Sequence, residues 1–483
     1  MEVTAEAVPR VRAARPAVWL TLGFMLLQAA WILTIPPFRG SDEFDHAYRA
    51  AGVAGGQWVA TEPAENGRGL LIEVPPALVE AAGPQCSVLG YTGPDNCSPV
   101  RETDSGRVLV ASGAATYFPL YYWVVGNVGE WADGTTSLYL MRMATALICA
   151  AFFFAAAWSL ARGPTLWRLA ALVLAATPVL VYSTSIVAPN GLEMTAALAL
   201  WSSLLALSDG NAQEDERMLV LIAIVAAVAM CLLRLLGPFF VLAIFATMVT
   251  FRRRELLALV TRRIRLAGGG ALVLLAACGT FVWWLRGPAN VSVPDGPDVG
   301  TVGLTDGVVW SLQSIAAFPY RNQTGPLIVY GLVGALALAL LFAGLRFAPS
   351  RERIVIAASF LAALVLPFAA TWATADGRGV IWQGRYGLPY SVGFVLMAGA
   401  VVAWRGSFRS PRHPWPVVIA LALYGSTLAA CLLKVRGQEL RDNTASMADT
   451  AWHVPPPLLL AGMVALAMGA LAAGMIGPRD TRV

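Results

Sequence analysis

Long apolar runs separated by short polar segments repeat along most of this chain. A helix needs about twenty mostly apolar residues to cross the ~30 Å hydrocarbon core of a bilayer. About twelve runs approach or reach that length, near residues 17–36, 137–160, 166–187, 191–208, 218–233, 236–250, 266–286, 325–346, 353–373, 386–404, 414–434 and 456–476. The pattern predicts an all-α polytopic membrane protein with about 12 transmembrane helices.

One aromatic segment leaves that count open between 11 and 13. YFPLYYWVVGNVGEWA (117–132) is about sixteen residues long and rich in Tyr and Trp, which concentrate at the headgroup level of membranes. We interpret it as a juxtamembrane segment. If it crossed the membrane instead, ARGPTLWR (161–168) would move to the outer side and later loops would change sides with it.

The distribution of arginines predicts the orientation. The N-terminal segment, FRRRELLALVTRRIR (251–265), RFAPSRER (346–353), RGSFRSPRH (405–413) and the tail PRDTRV are the most basic segments. Because positively charged loops stay cytoplasmic, we expect both termini inside. No A-x-A-like cleavage site follows the first apolar run, so we interpret that run as an anchor and not as a signal peptide.

Composition agrees with a membrane protein. Of the 483 residues, 57% are apolar and 13% are charged, about half the charged share of a soluble domain. The formal charge of +5 comes from arginines in short loops, where they set orientation, so we expect membrane lipids as partners and no nucleic acid. Only Lys434 among the 34 basic residues is a lysine, which suggests a GC-rich bacterial genome. We therefore expect a multi-pass protein of the bacterial plasma membrane.

The polar segments divide the chain into five parts. We expect a cytoplasmic N-terminus with the first helix (1–36), an extracytoplasmic loop with juxtamembrane helices (37–136), a transmembrane bundle (137–286), a flexible extracytoplasmic loop (287–324) and a C-terminal bundle (325–483). Residues 37–116 hold ten Asp or Glu against five Arg. We expect them to form short helices on the membrane surface without an independent core.

Two of the six cysteines, Cys86 and Cys97, lie in this first loop on either side of a Gly/Pro/Asn turn. In an oxidising compartment such a pair predicts a disulfide; two free thiols are the alternative. The other four lie in apolar runs and are expected to be packing residues.

Ionisable residues crowd directly after the first apolar run, in PPFRGSDEFDHAYRA (36–50). If a helix begins with Ser41 as its N-cap, Asp42 and His46 share a face at i, i+4, as do Asp45 and Arg49. A partly desolvated carboxylate among other carboxylates can act as a general base. A solvated acidic helix cap is the alternative.

Two further stretches offer polar groups at the predicted outer face. VIWQGRYGLP (380–389) places Gln383 and Arg385 beside Trp382 and Tyr386, and an interfacial aromatic belt is the alternative. TSIVAPNGLEMT (184–195) breaks a helical hairpin around Asn190, where turn chemistry alone would account for the break.

Arg142 and Arg234 lie within or at the end of apolar runs. Ionisable groups at such depths are costly and indicate function by default. A lipid phosphate is the natural partner, because a guanidinium binds it bidentately; snorkelling to the interface is the alternative.

Motifs of several other classes are missing from the sequence. It has no Walker A motif, no GxGxxG after a strand, no HExxH and no Cys/His metal spacing. Few acidic residues lie inside the apolar runs, Glu193 being the clearest, whereas ion-coupled transporters usually need such groups near mid-membrane.

Four of these stretches together resemble one family. PPFRGSDEFDHAYRA, YFPLYYW, SIVAPNG and WQGRYGLP occur in this order over residues 36 to 389, as in the bacterial DUF2142 family of polytopic membrane proteins, which belongs with the GT-C glycosyltransferase superfamily. The resemblance implies a GT-C-like fold with a long first extracytoplasmic loop. It also implies an enzyme that transfers a sugar, with inversion, from a polyprenyl-phosphate-linked donor to a glycan or lipid acceptor of the cell envelope.

The resemblance further implies residue roles on the extracytoplasmic face. Asp42 and Glu43 match an acidic pair at the GT-C active site, with Asp42 as the base. Some GT-C enzymes need a divalent cation such as Mg²⁺ or Mn²⁺, which Asp42 or Glu43 would bind here. Arg385, Arg234 and Arg142 are candidates for binding the lipid phosphate. The candidates for support or acceptor binding are Asp45, His46, Arg49, Asn190, Gln383 and Tyr386.

Two other classes of function stay open at this point. A transporter or flippase of lipid-linked saccharides would need a polar path through the membrane, and a noncatalytic scaffold for envelope assembly would need no reactive groups. Polar groups gathered at one membrane face favour the enzyme.

Overall fold

The structure is a computed structural model that describes residues 10–89, 92–162, 165–209, 215–262, 265–286, 302–319, 323–378, 382–405, 415–442 and 452–476. Its helices are α1 (Arg10–Thr34), α2 (Glu43–Ala54), α3 (Pro76–Cys86), α4 (Pro94–Cys97), α5 (Pro119–Gly129), α6 (Gly134–Leu160), α7 (Thr165–Ala175), α8 (Pro178–Ser183), α9 (Pro189–Leu207), α10 (Glu216–Leu233), α11 (Gly237–Phe251), α12 (Arg253–Arg262), α13 (Arg265–Arg286), α14 (Leu304–Gln313), α15 (Leu327–Phe347), α16 (Ser350–Arg378), α17 (Leu388–Arg405), α18 (Trp415–Asp442) and α19 (Pro457–Ile476). The strands are β1 (Leu70–Val74), β2 (Arg101–Glu102), β3 (Val108–Ser112), β4 (Ala317–Phe318) and β5 (Gln323–Thr324), and a 3₁₀ turn covers Gly384–Gly387.

Within the described residues, nine helices are long and apolar enough to cross a membrane: α1, α6, α10, α13, α15, α16, α17 with its preceding turn, α18 and α19. Each coincides with a predicted apolar run. The chain is therefore a helical multi-pass membrane protein, as predicted. The remaining three runs correspond to the pair α7 and α8, to α9, and to α11, so about twelve spans stays a prediction.

Proline explains why one predicted span is divided. Pro178 begins α8 directly after the turn that ends α7, and proline lacks the N–H that a continuous helix would need there. The N–H of Val179 is instead bonded to the carbonyl of Ile315, at 3.1 Å. The next helix, α9, is buried along almost its whole length and packs against α6, α10 and α17. It forms the centre of the bundle.

The first loop folds differently from the prediction. It contains a three-stranded antiparallel sheet in the order β1-β3-β2, with Leu70 opposite Ser112 and Val74 opposite Val108. Alternate strand side chains, including Leu70, Ile72 and Val110, form a core with α2 and α5. The expected short helices are present, and their core is not independent, because it includes Leu138 of α6 and Leu192 of α9. The sheet was not predicted; its two longer strands consist mainly of β-favouring residues.

Two other expectations for this loop agree with the structure. Cys86 and Cys97 form a disulfide between α3 and α4, which confirms the predicted pairing. The aromatic segment contains α5, an 11-residue helix that is too short to span a bilayer. It buries Tyr121 and Tyr122 and exposes Leu120, Trp123 and Val124, as expected of a juxtamembrane helix.

Candidate active site

The segment between α1 and α2 contains unusual backbone. Phe38 has φ 59° and Asp42 has φ 55°, and left-handed conformations are uncommon outside glycine. Each costs on the order of 1–3 kcal/mol and persists only where the surroundings fix it. Helix α2 begins at Glu43, one residue later than predicted, and the Asp42 side chain forms no capping bond. The carboxylate of Asp42 is therefore not used as a helix cap.

A buried network holds this segment in place. The Nε of Arg39 donates to Oε2 of Glu439 at 2.7 Å, and both side chains are buried. Gln323 donates to the other oxygen of Glu439 at 2.5 Å. Ser41 is held by the hydroxyl of Tyr182, at 3.0 Å from its amide nitrogen. The network ties the strained segment to α8, to β5 and to the end of α18.

Glu43 forms a fully buried ion pair with Arg142. It accepts two bonds from Arg142, at 2.8 and 2.6 Å, one from Val187 N–H and one from Gly40 N–H. Arg142 donates its remaining N–H groups to the carbonyls of Ile32, Ile35 and Pro36, which uses all five. This geometry contradicts the expectation that Arg142 binds a lipid phosphate, since no donor is left for it.

Asp42 has a different environment from its neighbour. Its side chain is 22% exposed, and its two carboxylate oxygens lie 3.7 Å from Nη2 of Arg68 and 3.9 Å from Nη2 of Arg385. The carboxylate is thus flanked by two guanidinium groups and is partly exposed.

Arg68 is a site residue that sequence reasoning missed. It is hydrogen-bonded to Asp45, which also accepts a bond from Gly113 N–H at 2.7 Å. Burial raises the pKa of Asp45 to about 6, although Arg68 acts in the opposite direction. The backbone of Arg68 exchanges two hydrogen bonds with the Asn96 side chain, at 2.8 and 3.0 Å, next to the disulfide at Cys97. The disulfide-bonded part of the loop therefore positions Arg68.

His46 lies among these charges as a neutral ring. Its Nδ1 is 2.8 Å from the hydroxyl of Tyr122. Burial lowers the pKa of His46 to about 3; Asp42 opposes this shift, while Arg234, Arg385 and Arg68 reinforce it. Its neighbour on α2, Arg49, is buried and donates to the carbonyls of Gln57, Trp58 and Tyr117. Arg49 therefore holds the loop together.

Three buried donors lie in and just before the 3₁₀ turn that precedes α17. Trp382, Gln383 and Arg385 are at most 9% exposed, and Trp382 Nε1, Gln383 Nε2 and Arg385 Nε bond to none of the described residues. Such donors cost about 1–3 kcal/mol each when buried, so a ligand or water that accepted their hydrogen bonds would be stabilised here. Gly384 is required here, because an added Cβ would lie 2.0 Å from the carbonyl oxygen of Trp310.

The ring of Tyr386 contacts both of the other arginines predicted to bind the lipid phosphate, Arg385 and Arg234. The ring centroid is 5.5 Å from the guanidinium carbon of Arg385 and 4.4 Å from that of Arg234. Arg234 also pairs with the buried Glu193 at 3.2 Å. Asn190 is buried in the first turn of α9, three positions before Glu193. Arg234 is therefore at the site, but its charge is already paired.

The residues around Asp42 do not fit a divalent cation. The carboxylate of Asp42 faces arginines, and Glu43 already accepts four hydrogen bonds. In the part of the chain that the structure describes, no three His, Cys, Asp or Glu side chains are grouped to hold a metal ion. Mg²⁺ and Mn²⁺ need oxygen ligands without competing cations.

A family model described as a predicted membrane protein (DUF2142) matches residues 24–394. The chain belongs to the DUF2142 family. The match confirms the family resemblance and includes every candidate residue from Arg39 to Tyr386. No curated protein matches the sequence of this DUF2142 protein.

Among solved structures, the DUF2142 protein is similar to ArnT from Cupriavidus metallidurans bound to undecaprenyl phosphate. The two are 14% identical, the match covers 95% of this chain and 77% of that chain, and the TM-score is 0.43. A similarity at this level does not by itself establish a shared fold or activity.

Proposed function

We propose that this DUF2142 protein is a GT-C-type membrane glycosyltransferase that uses a polyprenyl-phosphate-linked sugar to modify a glycan or lipid of the cell envelope. One observation supports it most. The partly exposed carboxylate of Asp42 lies 3.9 Å from Nη2 of Arg385. The segment that contains Arg385 also has buried donors with no partner among the described residues. A carboxylate base and a phosphate-binding turn are the two parts that this transfer needs.

The chemistry follows from that pair. Asp42 takes the proton of the acceptor hydroxyl, and the hydroxyl oxygen attacks the anomeric carbon from the face opposite the lipid phosphate. The bond between that carbon and the phosphate oxygen breaks, and the phosphate leaves with the electron pair. Its added negative charge is stabilised by Arg385, with the donors of Gln383 and Trp382 beside it. The sugar is transferred with inversion, and Asp42 returns its proton to water.

The other site residues support this pair in the proposal. Glu43 and Arg142 fix the backbone that carries Asp42, and neither contacts the substrate. Arg68 holds the second oxygen of Asp42, and Asp45 orients Arg68. His46 adds no charge beside Asp42, and the ring of Tyr386 packs against the guanidinium groups of Arg385 and Arg234.

Transfer from a lipid-linked donor tests the proposal. The full-length protein in lipid nanodiscs is supplied with undecaprenyl-phosphate-linked sugars and an extract of cell-envelope glycans and lipids, and released undecaprenyl phosphate is measured by mass spectrometry. Loss of a general base typically slows such a step about 10²–10⁴-fold, so we expect Asp42→Asn to release at least a hundredfold less. Asp104→Asn, at an exposed acidic position of the same loop, is the matched control.

Two results would contradict the proposal. Transfer by Asp42→Asn at the wild-type rate would exclude Asp42 as the base. Movement of the intact lipid-linked sugar across vesicles, without cleavage of its phosphate bond, would identify a flippase instead.

A further inference from the structure

Helix α14 presents an uncharged apolar stripe on one side. Leu304, Val308 and Leu312 follow one another at intervals of four residues, with Val309 beside them, and their exposed fractions are 85%, 60%, 40% and 48%. On a helix of 3.6 residues per turn these four positions share one face. Four exposed apolar side chains on a ten-residue helix need a partner.

The opposite side of α14 is attached to a membrane helix. Trp310 is buried, and its ring centroid is 5.3 Å from that of Phe368 in α16. Gly307 also packs on Phe368, since an added Cβ would lie 2.3 Å from that ring. Phe368 lies within the candidate membrane span of α16. Helix α14 is therefore attached to a helix that is long and apolar enough to cross a membrane.

A short helix with an apolar face, attached to the side of a membrane span, has the features of a helix lying in the membrane interface. Interfacial helices bury their apolar face about 5–10 Å into the boundary between headgroups and acyl chains. Other apolar side chains are exposed at the same end of the bundle: Leu327 and Ile328 at the start of α15 are 88% and 70% exposed, and Trp372 of α16 is 62% exposed.

We infer that α14 is a lipid-docking helix whose Leu304, Val308, Val309 and Leu312 insert among the acyl chains of the leaflet at the site end of the bundle. The same helix holds the turn that contains Arg385. Its Gln313 accepts a bond from Gly384 N–H at 3.0 Å, and Gly384 packs directly on the carbonyl of Trp310. Docking of α14 therefore fixes the depth of Arg385 relative to the lipid headgroups.

Spin-label accessibility tests the docking independently of any transfer reaction. The full-length protein, with the exposed Cys278 replaced by Ala, carries a nitroxide at Val308→Cys in phosphatidylcholine/phosphatidylglycerol nanodiscs. Collision with oxygen reports acyl chains, and collision with a water-soluble nickel chelate reports solvent. We expect an oxygen-to-nickel ratio several-fold higher at 308 than for the same label at Asp104→Cys in the outer loop. Equal ratios would overturn the inference, and protection from both reagents would mean that protein covers the stripe.

The coupling to Arg385 rests on the proposed function and has its own measurement. We expect Val308→Asp with Leu312→Asp to bind undecaprenyl phosphate about tenfold more weakly in nanodiscs, which corresponds to ~1.4 kcal/mol, while Asp104→Asn binds like wild type. Unchanged affinity in the double variant would overturn the coupling and leave the docking. Failure of the wild type to bind undecaprenyl phosphate would count against the proposed function and not against the docking.

Discussion

Glu43→Gln separates the structural carboxylate from the catalytic one. The sequence places Asp42 and Glu43 side by side, but the structure buries only Glu43 completely and pairs it with the equally buried Arg142. In Glu43→Gln one carboxylate oxygen becomes an NH₂ group, which cannot accept the hydrogen bonds that Arg142 and Gly40 donate. The substitution also leaves the charge of Arg142 buried without a counterion.

The expected size of the effect follows from these contacts. Removing one partner of a buried ion pair typically lowers the free energy of unfolding by about 3–5 kcal/mol. The chain offers a matched control in Glu62, which also meets one arginine through two bonds, at 2.8 and 2.7 Å from Arg101. That pair is exposed, at 47% and 56% for the two side chains, so Glu62→Gln should leave the free energy of unfolding nearly unchanged.

The assay is thermal unfolding of the purified protein in detergent, followed by tryptophan fluorescence and size-exclusion chromatography. Glu43→Gln should unfold several degrees below wild type, and Glu62→Gln close to wild type. Adding Arg142→Met to Glu43→Gln should recover part of the loss, because the unpaired charge is then gone. A Glu43→Gln protein that unfolds like wild type but has lost sugar transfer would instead make Glu43 a catalytic residue.

Three further predictions concern the residues around Asp42. Arg385→Ala should weaken binding of undecaprenyl phosphate about 10- to 100-fold, since a bond to a charged group contributes about 1.5–3 kcal/mol; native mass spectrometry measures this, and Arg101→Ala should bind like wild type. Burial lowers the pKa of His46 from 6.5 to about 3, so between those pH values the unfolded chain binds a proton that the native protein excludes. The free energy of unfolding should therefore fall as the pH drops through this range, by up to ~1.4 kcal/mol per pH unit. His46→Gln should flatten the curve of unfolding temperature against pH. Equal slopes for the wild type and the variant would show that His46 is not buried as a neutral ring. Arg39→Ala and Glu439→Ala should each slow transfer with little change in donor affinity, and the double variant should be no slower than the slower single variant; additive losses would mean that the two residues act separately.

The pattern of apolar residues predicted most of the membrane helices, because a span needs only length and hydrophobicity. It did not predict the break at Pro178, which divides one run into α7 and α8. It also missed the sheet of the first loop, because LLIEV and VLVAS are too short to stand out within an acidic segment.

The candidate site was only partly predictable for a different reason. Asp42 and Arg385 lie next to apolar runs, where an ionisable group is conspicuous. Nothing local distinguishes Asp42 from Glu43, whose roles depend on Arg142, about a hundred positions away. Arg68 lies in an ordinary polar loop and reaches the site only because the disulfide-bonded segment and Asn96 hold it there.

The most direct test of the proposed site is an experimental structure of the protein in nanodiscs with undecaprenyl phosphate bound. We expect phosphate density within hydrogen-bonding distance of Arg385, about 2.7–3.2 Å, and next to the donors of Trp382 and Gln383. Phosphate bound elsewhere, with Arg385 still facing Asp42 and those donors unchanged, would contradict it.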